Sequence, residues 1–242
     1  MFKISCVVDA GIGCYGNDDS AMVLRHIITE GFYEETADIA LAVVCDGVGG
    51  EDFGYEATEI AVNHFSKLLD QDVTVESIRI GIADANSLIL QAQKKDFAHR
   101  KMAATIAGIY LNKNDCIVFN VGDSKVIRYR PPYIAQLSTD HTLIEELKNL
   151  GIAPKPGQEH VITRCLGSHN AEPEILDGKD KALDCDVYIV CSDGISDVIS
   201  DAEFECIMAE DILDKELCWK LIEVAISKGS NDNMSVIIIR RS

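Results

Sequence analysis

Three short acidic motifs are placed to act together: Val44-Cys45-Asp46-Gly47-Val48-Gly49-Gly50, Val190-Cys191-Ser192-Asp193-Gly194 and Ser230-Asn231-Asp232-Asn233. Each reads as the end of an apolar run. A buried strand that delivers a carboxylate into a tight Gly or Asn turn holds that oxygen at a sheet edge. Several such carboxylates brought together repel one another unless cations lie between them. Oxygen-only ligation suits Mg²⁺ or Mn²⁺. The pattern therefore predicts a multi-carboxylate divalent-metal site on Asp46, Asp193 and Asp232.

Other chemistries fit poorly. Gly11-Ile12-Gly13-Cys14-Tyr15-Gly16 matches the dinucleotide fingerprint in spacing. That fingerprint needs a helix opening at its third glycine, with N–H groups aimed at pyrophosphate. Here Asn17-Asp18-Asp19 follows at once and puts carboxylates where an anion would lie, so a glycine-permitted turn is expected instead. None of the nine cysteines has an arginine six residues later, as a cysteine phosphatase requires. Neither a G-x-S-x-G elbow nor a Walker A loop occurs. The six histidines lack zinc spacing.

The elements that must carry these motifs can be read from periodicity. Residues 3–9, 20–28, 39–45, 186–192 and 234–240 read as strands, and 39–45 is apolar on both alternating sets, as in a strand covered on both faces. Residues 54–70 and 74–95 place apolar side chains on one helical face. Runs 103–111, 115–121 and 124–130, separated by Asn112-Lys113-Asn114 and Gly122-Asp123, predict an antiparallel meander. A short helix is expected at 141–150, a Gly/Pro-rich loop at 151–172, a helix opened by the Ser200-x-x-Glu203 capping box, and another at 212–227. The order does not alternate strand and helix. It predicts an α+β fold, two stacked and mostly antiparallel β-sheets with helix pairs outside, in one domain over 1–242.

Taken together the motifs resemble the protein phosphatase 2C (PPM) family in its bacterial, metal-dependent serine/threonine phosphatase form. Asp9-x-Gly11 with Asn17-Asp18-Asp19 is similar to the family's opening motif, and Asp46-Gly47-Val48-Gly49-Gly50 to its Asp-Gly-x-Gly-Gly. Met102-Ala103-Ala104-Thr105, Gly122-Asp123-Ser124, Asp140-His141-Thr142 and Thr163-Arg164-x-Leu166-Gly167 resemble the middle motifs. Cys191 to Asp197 and Asp232-Asn233-Met234-Ser235 match the late ones. All of them occur in family order.

The resemblance implies roles. Asp46 would bridge two ions, the Gly47 carbonyl would ligate one, and Asp193 and Asp232 the other. Asp19 and Asp18 would act through metal waters, and Asp123 would hold a third, weaker ion. Asp46, Asp19 and Asp193 would be the catalytic acids, Asn233 would orient its neighbours, and His141 would fix a flap segment at about 141–172. The implied reaction is attack on phosphorus by a metal-bridging water, without a phosphoenzyme. At one position the chain departs from the pattern: Cys14 stands where the family usually has an arginine that grips the substrate phosphate. A thiol cannot replace a bidentate guanidinium. It reads either as a neutral replacement or as a redox-sensitive thiol beside the metals.

The expected function is hydrolysis of phosphoserine and phosphothreonine in proteins phosphorylated by a serine/threonine kinase. Rival readings are a pseudophosphatase or phosphoprotein-binding module of the same fold, favoured by Cys14, and a small-molecule phosphomonoesterase. The net charge of −18 argues against nucleic acid or an anionic membrane as partner. A monomer is expected. Nine cysteines without a C-x-x-C pair, a start at Met1-Phe2-Lys3-Ile4-Ser5 that runs directly into a strand-like stretch with no basic n-region or long apolar h-region, and no membrane-length apolar stretch predict a cytoplasmic protein. The sequon Asn233-Met234-Ser235 would then be irrelevant.

Overall fold

The computed structural model describes every residue except 15, 49–52, 96, 159, 179–182 and 242. Along the chain, β1 (Phe2–Asp9), β2 (Ser20–Val23), β3 (His26–Ile28), β4 (Gly31–Ala37), β5 (Ala40–Cys45) and the short β6 (Gly47–Val48) lead to helices α1 (Gly54–Phe65) and α2 (Val75–Gln93). There follow β7 (Ala103–Ala104), β8 (Ile106–Leu111), β9 (Cys116–Val121), β10 (Lys125–Arg130), β11 (Tyr133–Gln136) and α3 (Leu143–Asn149). The last part holds β12 (Glu174–Asp177), β13 (Val187–Cys191), α4 (Asp193–Ser196), α5 (Asp201–Met208), α6 (Asp214–Ser227) and β14 (Met234–Arg241).

These strands form two six-stranded sheets, β11-β10-β13-β14-β1-β4 and β12-β9-β8-β5-β2-β3, with every pairing antiparallel. Strand periodicity explains why the central strands carry apolar residues on both faces of their middle portions. In β1, Ile4, Cys6 and Val8 join the larger core while Val7 joins the smaller one. In β14, Ile237 and Ile239 go to the larger core and Val236 and Ile238 to the smaller. Alternate side chains thus enter the layer between the sheets or the layer under α5 and α6, where Phe204, Leu217, Leu221 and Ile222 are buried. The other helix pair, α1 and α2, contributes Ala61, Phe65, Ile82 and Ile89 to the larger core. The expected two-sheet α+β fold with outer helix pairs is what the chain forms.

Several expectations need correction. Residues 20–28 are a hairpin, not one strand: Leu24 takes φ 54, and the chain turns there between β2 and β3. The meander stops after β8 and β9. Strand β10 leaves β9 and pairs with β11 and β13 in the opposite sheet, so Gly122-Asp123 is a crossing between sheets rather than a hairpin turn. Alternation reveals that a segment is a strand but not which sheet receives it. The helix expected over 54–70 ends at Phe65, with a single 3₁₀ turn at Leu68–Asp70. The helix expected over 141–150 begins only at Leu143, because Thr142 caps it by accepting from the Glu145 amide at 3.3 Å. His141 therefore lies before the helix.

Candidate metal centre

The acidic motifs converge at one end of the two sheets. Asp46 leaves β5, Asp193 opens α4 directly after β13, Asp19 precedes β2 and Asp232 precedes β14. The expected Gly turn at Asp193-Gly194 is instead the first turn of a helix. A Cβ on Gly194 would collide with the Asn233 carbonyl oxygen, so only glycine lets the Asp193 segment lie against the Asp232-Asn233 loop. Gly47 is close-packed in the same way: a Cβ there would stand 2.7 Å from the Asp18 Cβ and 2.9 Å from the Gly54 backbone.

The electrostatics show that these carboxylates share one field. Asp19 is 1% exposed, and burial pushes its carboxyl up to about 7, with the Asp193 and Asp232 charges adding to the effect. The Ser192 hydroxyl donates to Asp19 Oδ2 at 2.8 Å, and the Ser235 hydroxyl also tempers the charge. Asp46 is raised well above its ordinary value by burial, then by the Asp19 and Asp193 charges. Burial also raises Asp193 and Asp18. Asp123, in the sheet-crossing loop, is pushed up to about 7 by burial and then by Asp193. Oδ1 of Asp19, of Asp123 and of Asp193 is buried without a hydrogen-bond partner. Buried acceptors left unsatisfied beside like charges are the signature of a cation site.

The donor set is all oxygen, which fits Mg²⁺ or Mn²⁺. Among the described residues no three acids, histidines or cysteines close round one point as a ready-made cage.

Each expected residue can be placed. Asn233 is 8% exposed and ties three segments together: its Oδ1 accepts from the Asp18 amide at 2.8 Å, and its Nδ2 donates to the Ala10 and Gly16 carbonyls at 2.7 and 3.1 Å. Asp18 Oδ1 accepts from the Tyr55 amide at 3.1 Å, fastening it to the start of α1. Asp232 is exposed, and its Oδ1 accepts from the Asn233 amide at 2.8 Å. Cys14 is half-buried at the rim, its sulfur 3.3 Å from the Asn231 carbonyl it donates to. Burial, then Asp232, Asp18 and Asp19, push its thiol above the ordinary value, which opposes the reading of an activated thiolate. In the Gly11–Gly16 stretch no helix opens among the described residues, so the dinucleotide fingerprint is indeed a turn.

His141 is buried and links the crossing loop to the flap. Its Nδ1 accepts from the Gly122 amide at 3.1 Å, and its carbonyl accepts from the Thr163 amide at 2.8 Å. Burial and the Arg164 guanidinium lower its pKa to about 4, so the ring is neutral at pH 7. The flap segment divides in two. Residues 151–157 are exposed. The later part is strapped down: Leu166 exchanges backbone hydrogen bonds with Ala104 at 2.8 and 3.1 Å, and Asn86 Oδ1 accepts from the Gly167 amide at 2.7 Å.

Sequence reading gave no role to the hydroxyls beneath the site. Thr105 Oγ1 accepts from the Asp46 amide at 3.2 Å and lies 2.7 Å from Ser124 Oγ, while Ser192 and Ser235 flank Asp19. Their position inside the acidic motifs was the available signal.

Comparison with known proteins agrees with this geometry. A family model described as Protein phosphatase 2C matches residues 30–215. The chain belongs to the protein phosphatase 2C family. Protein phosphatase PhpP of Streptococcus pneumoniae is 28% identical to this family member over 250 aligned positions, covering 98% of this chain and 96% of that protein. The serine/threonine phosphatase stp of Listeria welshimeri is 26% identical over 224 positions, covering 88% of each. Among solved structures, the S. agalactiae serine/threonine phosphatase superposes with a TM-score of 0.87 at 22% identity, covering all of both chains. The catalytic domain of PstP in complex with two manganese ions gives a TM-score of 0.81 at 24% identity, covering 99% of both. These two likenesses show that the protein phosphatase 2C fold is shared.

Proposed function

We propose that this protein phosphatase 2C member is a metal-dependent phosphatase of phosphoserine and phosphothreonine in proteins. The observation that carries the reading is the set of coupled, buried carboxylates with three unpartnered oxygens, on Asp19, Asp123 and Asp193, in a chain of this family. The names of its relatives and the manganese-bound relative support the same reading. Asp46 would hold two ions, the Gly47 carbonyl one of them, and Asp193 with Asp232 the other. Asp19 and Asp18 would hold waters of that shell, and Asp123 a third ion. When bound, such ions acidify a water lying between them and neutralise the charge that develops on the phosphoryl oxygens.

The chain's own groups prepare this. Asp46 and Asp193 lie in one another's field, so charging both is favoured when cations stand beside them. Ser192 keeps Asp19 oriented, and Asn233 holds the Asp18, Ala10 and Gly16 segments in register. His141 fastens the flap to the crossing loop that carries Asp123. All nine cysteines are free, which supports a reducing compartment. Among the described residues no helix is long and apolar enough to cross a membrane.

Cys14 favours a second reading, a fold that binds phosphoproteins without turnover. Hydrolysis of p-nitrophenyl phosphate and of a phosphothreonine peptide, each with Mn²⁺ and with EDTA, separates the readings. Mn²⁺-dependent release from both supports the phosphatase, aryl phosphate alone a small-molecule enzyme, and neither the binding module. Ions that bind only the folded state also raise its melting temperature by mass action. A thermal scan indifferent to Mn²⁺ and EDTA would sink the metal site itself.

A further inference from the structure

The site is walled by carboxylates, and Cys14 offers it no positive charge. The chain as a whole carries 40 acidic side chains against 22 basic ones, an excess of 18 that two or three divalent ions at the site would lower but not cancel. An acidic phosphoprotein would therefore meet repulsion unless a local cationic feature received it. One such feature stands beside the site. Lys94, Lys95, Phe97 and Arg100, with Gln93, line an open hollow of about 350 Å³ at the end of α2. Phe97 is 74% exposed, and the Arg100 guanidinium lies 4.0 Å from its ring centroid. Among the described residues no ion pair engages Lys94, Lys95 or Arg100.

A short path of contacts connects the hollow to the carboxylates. His99 stacks edge-on against Phe53 at 4.2 Å, and Phe53 immediately precedes α1, whose Tyr55 amide binds Asp18. Three residues past Arg100, Ala103 pairs with Val48, next to Gly47. Three residues from Arg100 to Ala103, one strand spacing to Val48 and two residues to Asp46 keep the hollow within roughly 22 Å of the acidic centre, a span of at most about six extended residues.

We propose that this hollow docks an acidic stretch of the phosphoprotein substrate, within about six residues of the phosphorylated Ser or Thr. The inference rests on the phosphatase reading above. A guanidinium already ordered on an aromatic face loses little freedom on binding and can grip a carboxylate or a second phosphate with two bonds. Lys94 and Lys95, which no ion pair among the described residues engages, add charge that speeds encounter and favours acidic sequences.

The test uses phosphothreonine peptides with neutral flanks, with three glutamates centred four or five residues before or after the phosphothreonine, and with a second phosphoserine there. The aryl phosphate serves as a substrate without flanks. At low salt at least one acidic peptide should exceed the neutral one by about tenfold in kcat/KM, chiefly through KM. The two kinds of peptide distinguish carboxylate from phosphate recognition. Combined Lys94→Glu, Lys95→Glu and Arg100→Glu should erase the preference and leave aryl phosphate turnover unchanged. The alanine version serves if charge reversal disturbs folding.

Binding is read separately, by fluorescence anisotropy of the glutamate peptide carrying alanine at the phosphosite, in EDTA. Binding that weakens in the variant and in high salt supports the hollow even if no substrate is hydrolysed, an outcome that would overturn only the phosphatase reading. Equal rates on acidic and neutral peptides with no anisotropy change would overturn the proposal. So would tighter binding of a single-stranded oligonucleotide than of the peptides.

Discussion

Asp46 sits at the convergence of two sheets because its backbone is held from both directions: its amide donates to Thr105 Oγ1 at 3.2 Å and its carbonyl accepts from the Thr105 amide at 2.8 Å. Asp46→Asn keeps these bonds and the side-chain volume but removes the charge. We expect a loss of about a hundredfold or more in Mn²⁺-dependent turnover with an intact fold, measured by steady-state kinetics beside a circular dichroism melt. Near-normal activity would refute the role given to Asp46. Cys14 offers the opposite experiment. Its side chain faces Asn231 and lies in the field of Asp232, Asp18 and Asp19, so an arginine there would look into the same space. Cys14→Arg should raise kcat/KM on a phosphothreonine peptide about tenfold, or ~1.4 kcal/mol, mainly through KM. An unchanged or lower value, with the fold intact, would mean that phosphate is gripped by another route.

The flap shows how a loop becomes part of a site. Its later half is bonded to β7 and α2 through Leu166 and Gly167, and only its first half is free to present a surface. Exchanging residues 151–157 for a Gly/Ser segment of equal length should slow turnover of a phosphoprotein more than turnover of p-nitrophenyl phosphate. Equal losses on both would make the segment scaffold only. The same contrast explains what the sequence discloses. Strands β5 and β13 were legible because both of their faces are apolar, and β1 and β14 because an apolar run outlasts their polar residues, among them Lys3 and Ser5 in one and Ser235 in the other. Strand β4 was not: as an edge strand bearing Glu34 and Glu35 it has no apolar run, and its Glu34 instead accepts from Ser5 Oγ at 2.8 Å. Strand β11 is likewise an exposed edge, held by the Ile134 amide donating to Glu205 at 3.0 Å. The acids were legible as motifs. The hydroxyls of Thr105, Ser124, Ser192 and Ser235 were not, since a serine announces its partner only when the fold brings one.

Across the molecule, the sheet that holds β10 and β13 is reinforced by buried charge as well as by packing. The Asp186 carboxylate is fully buried and takes two bonds from Arg130, at 2.6 and 2.8 Å. Burial alone would raise its pKa, but the Arg130 bonds, the Leu183 amide and the nearby arginine charges hold it below its ordinary 3.8. Its folded pKa is depressed, so its contribution to stability is complete above about pH 4 and is lost as pH falls through the folded value. Arg130→Ala should cost about 1–3 kcal/mol at neutral pH. It should also flatten the acid limb of stability measured by urea titration below pH 4, whereas an unaltered limb would locate acid sensitivity elsewhere. One feature of the first sheet bears on how the chain could be re-cut. Phe2 and Arg241 are register partners across β1 and β14, so the two ends of the described fold lie side by side. A short linker could join them, and new termini could be opened among the exposed residues 151–157, without unpairing either sheet. Such a circular permutant would keep its carboxylates in place while freeing the flap at one end, uncoupling the order in which the segments are made from the architecture they reach.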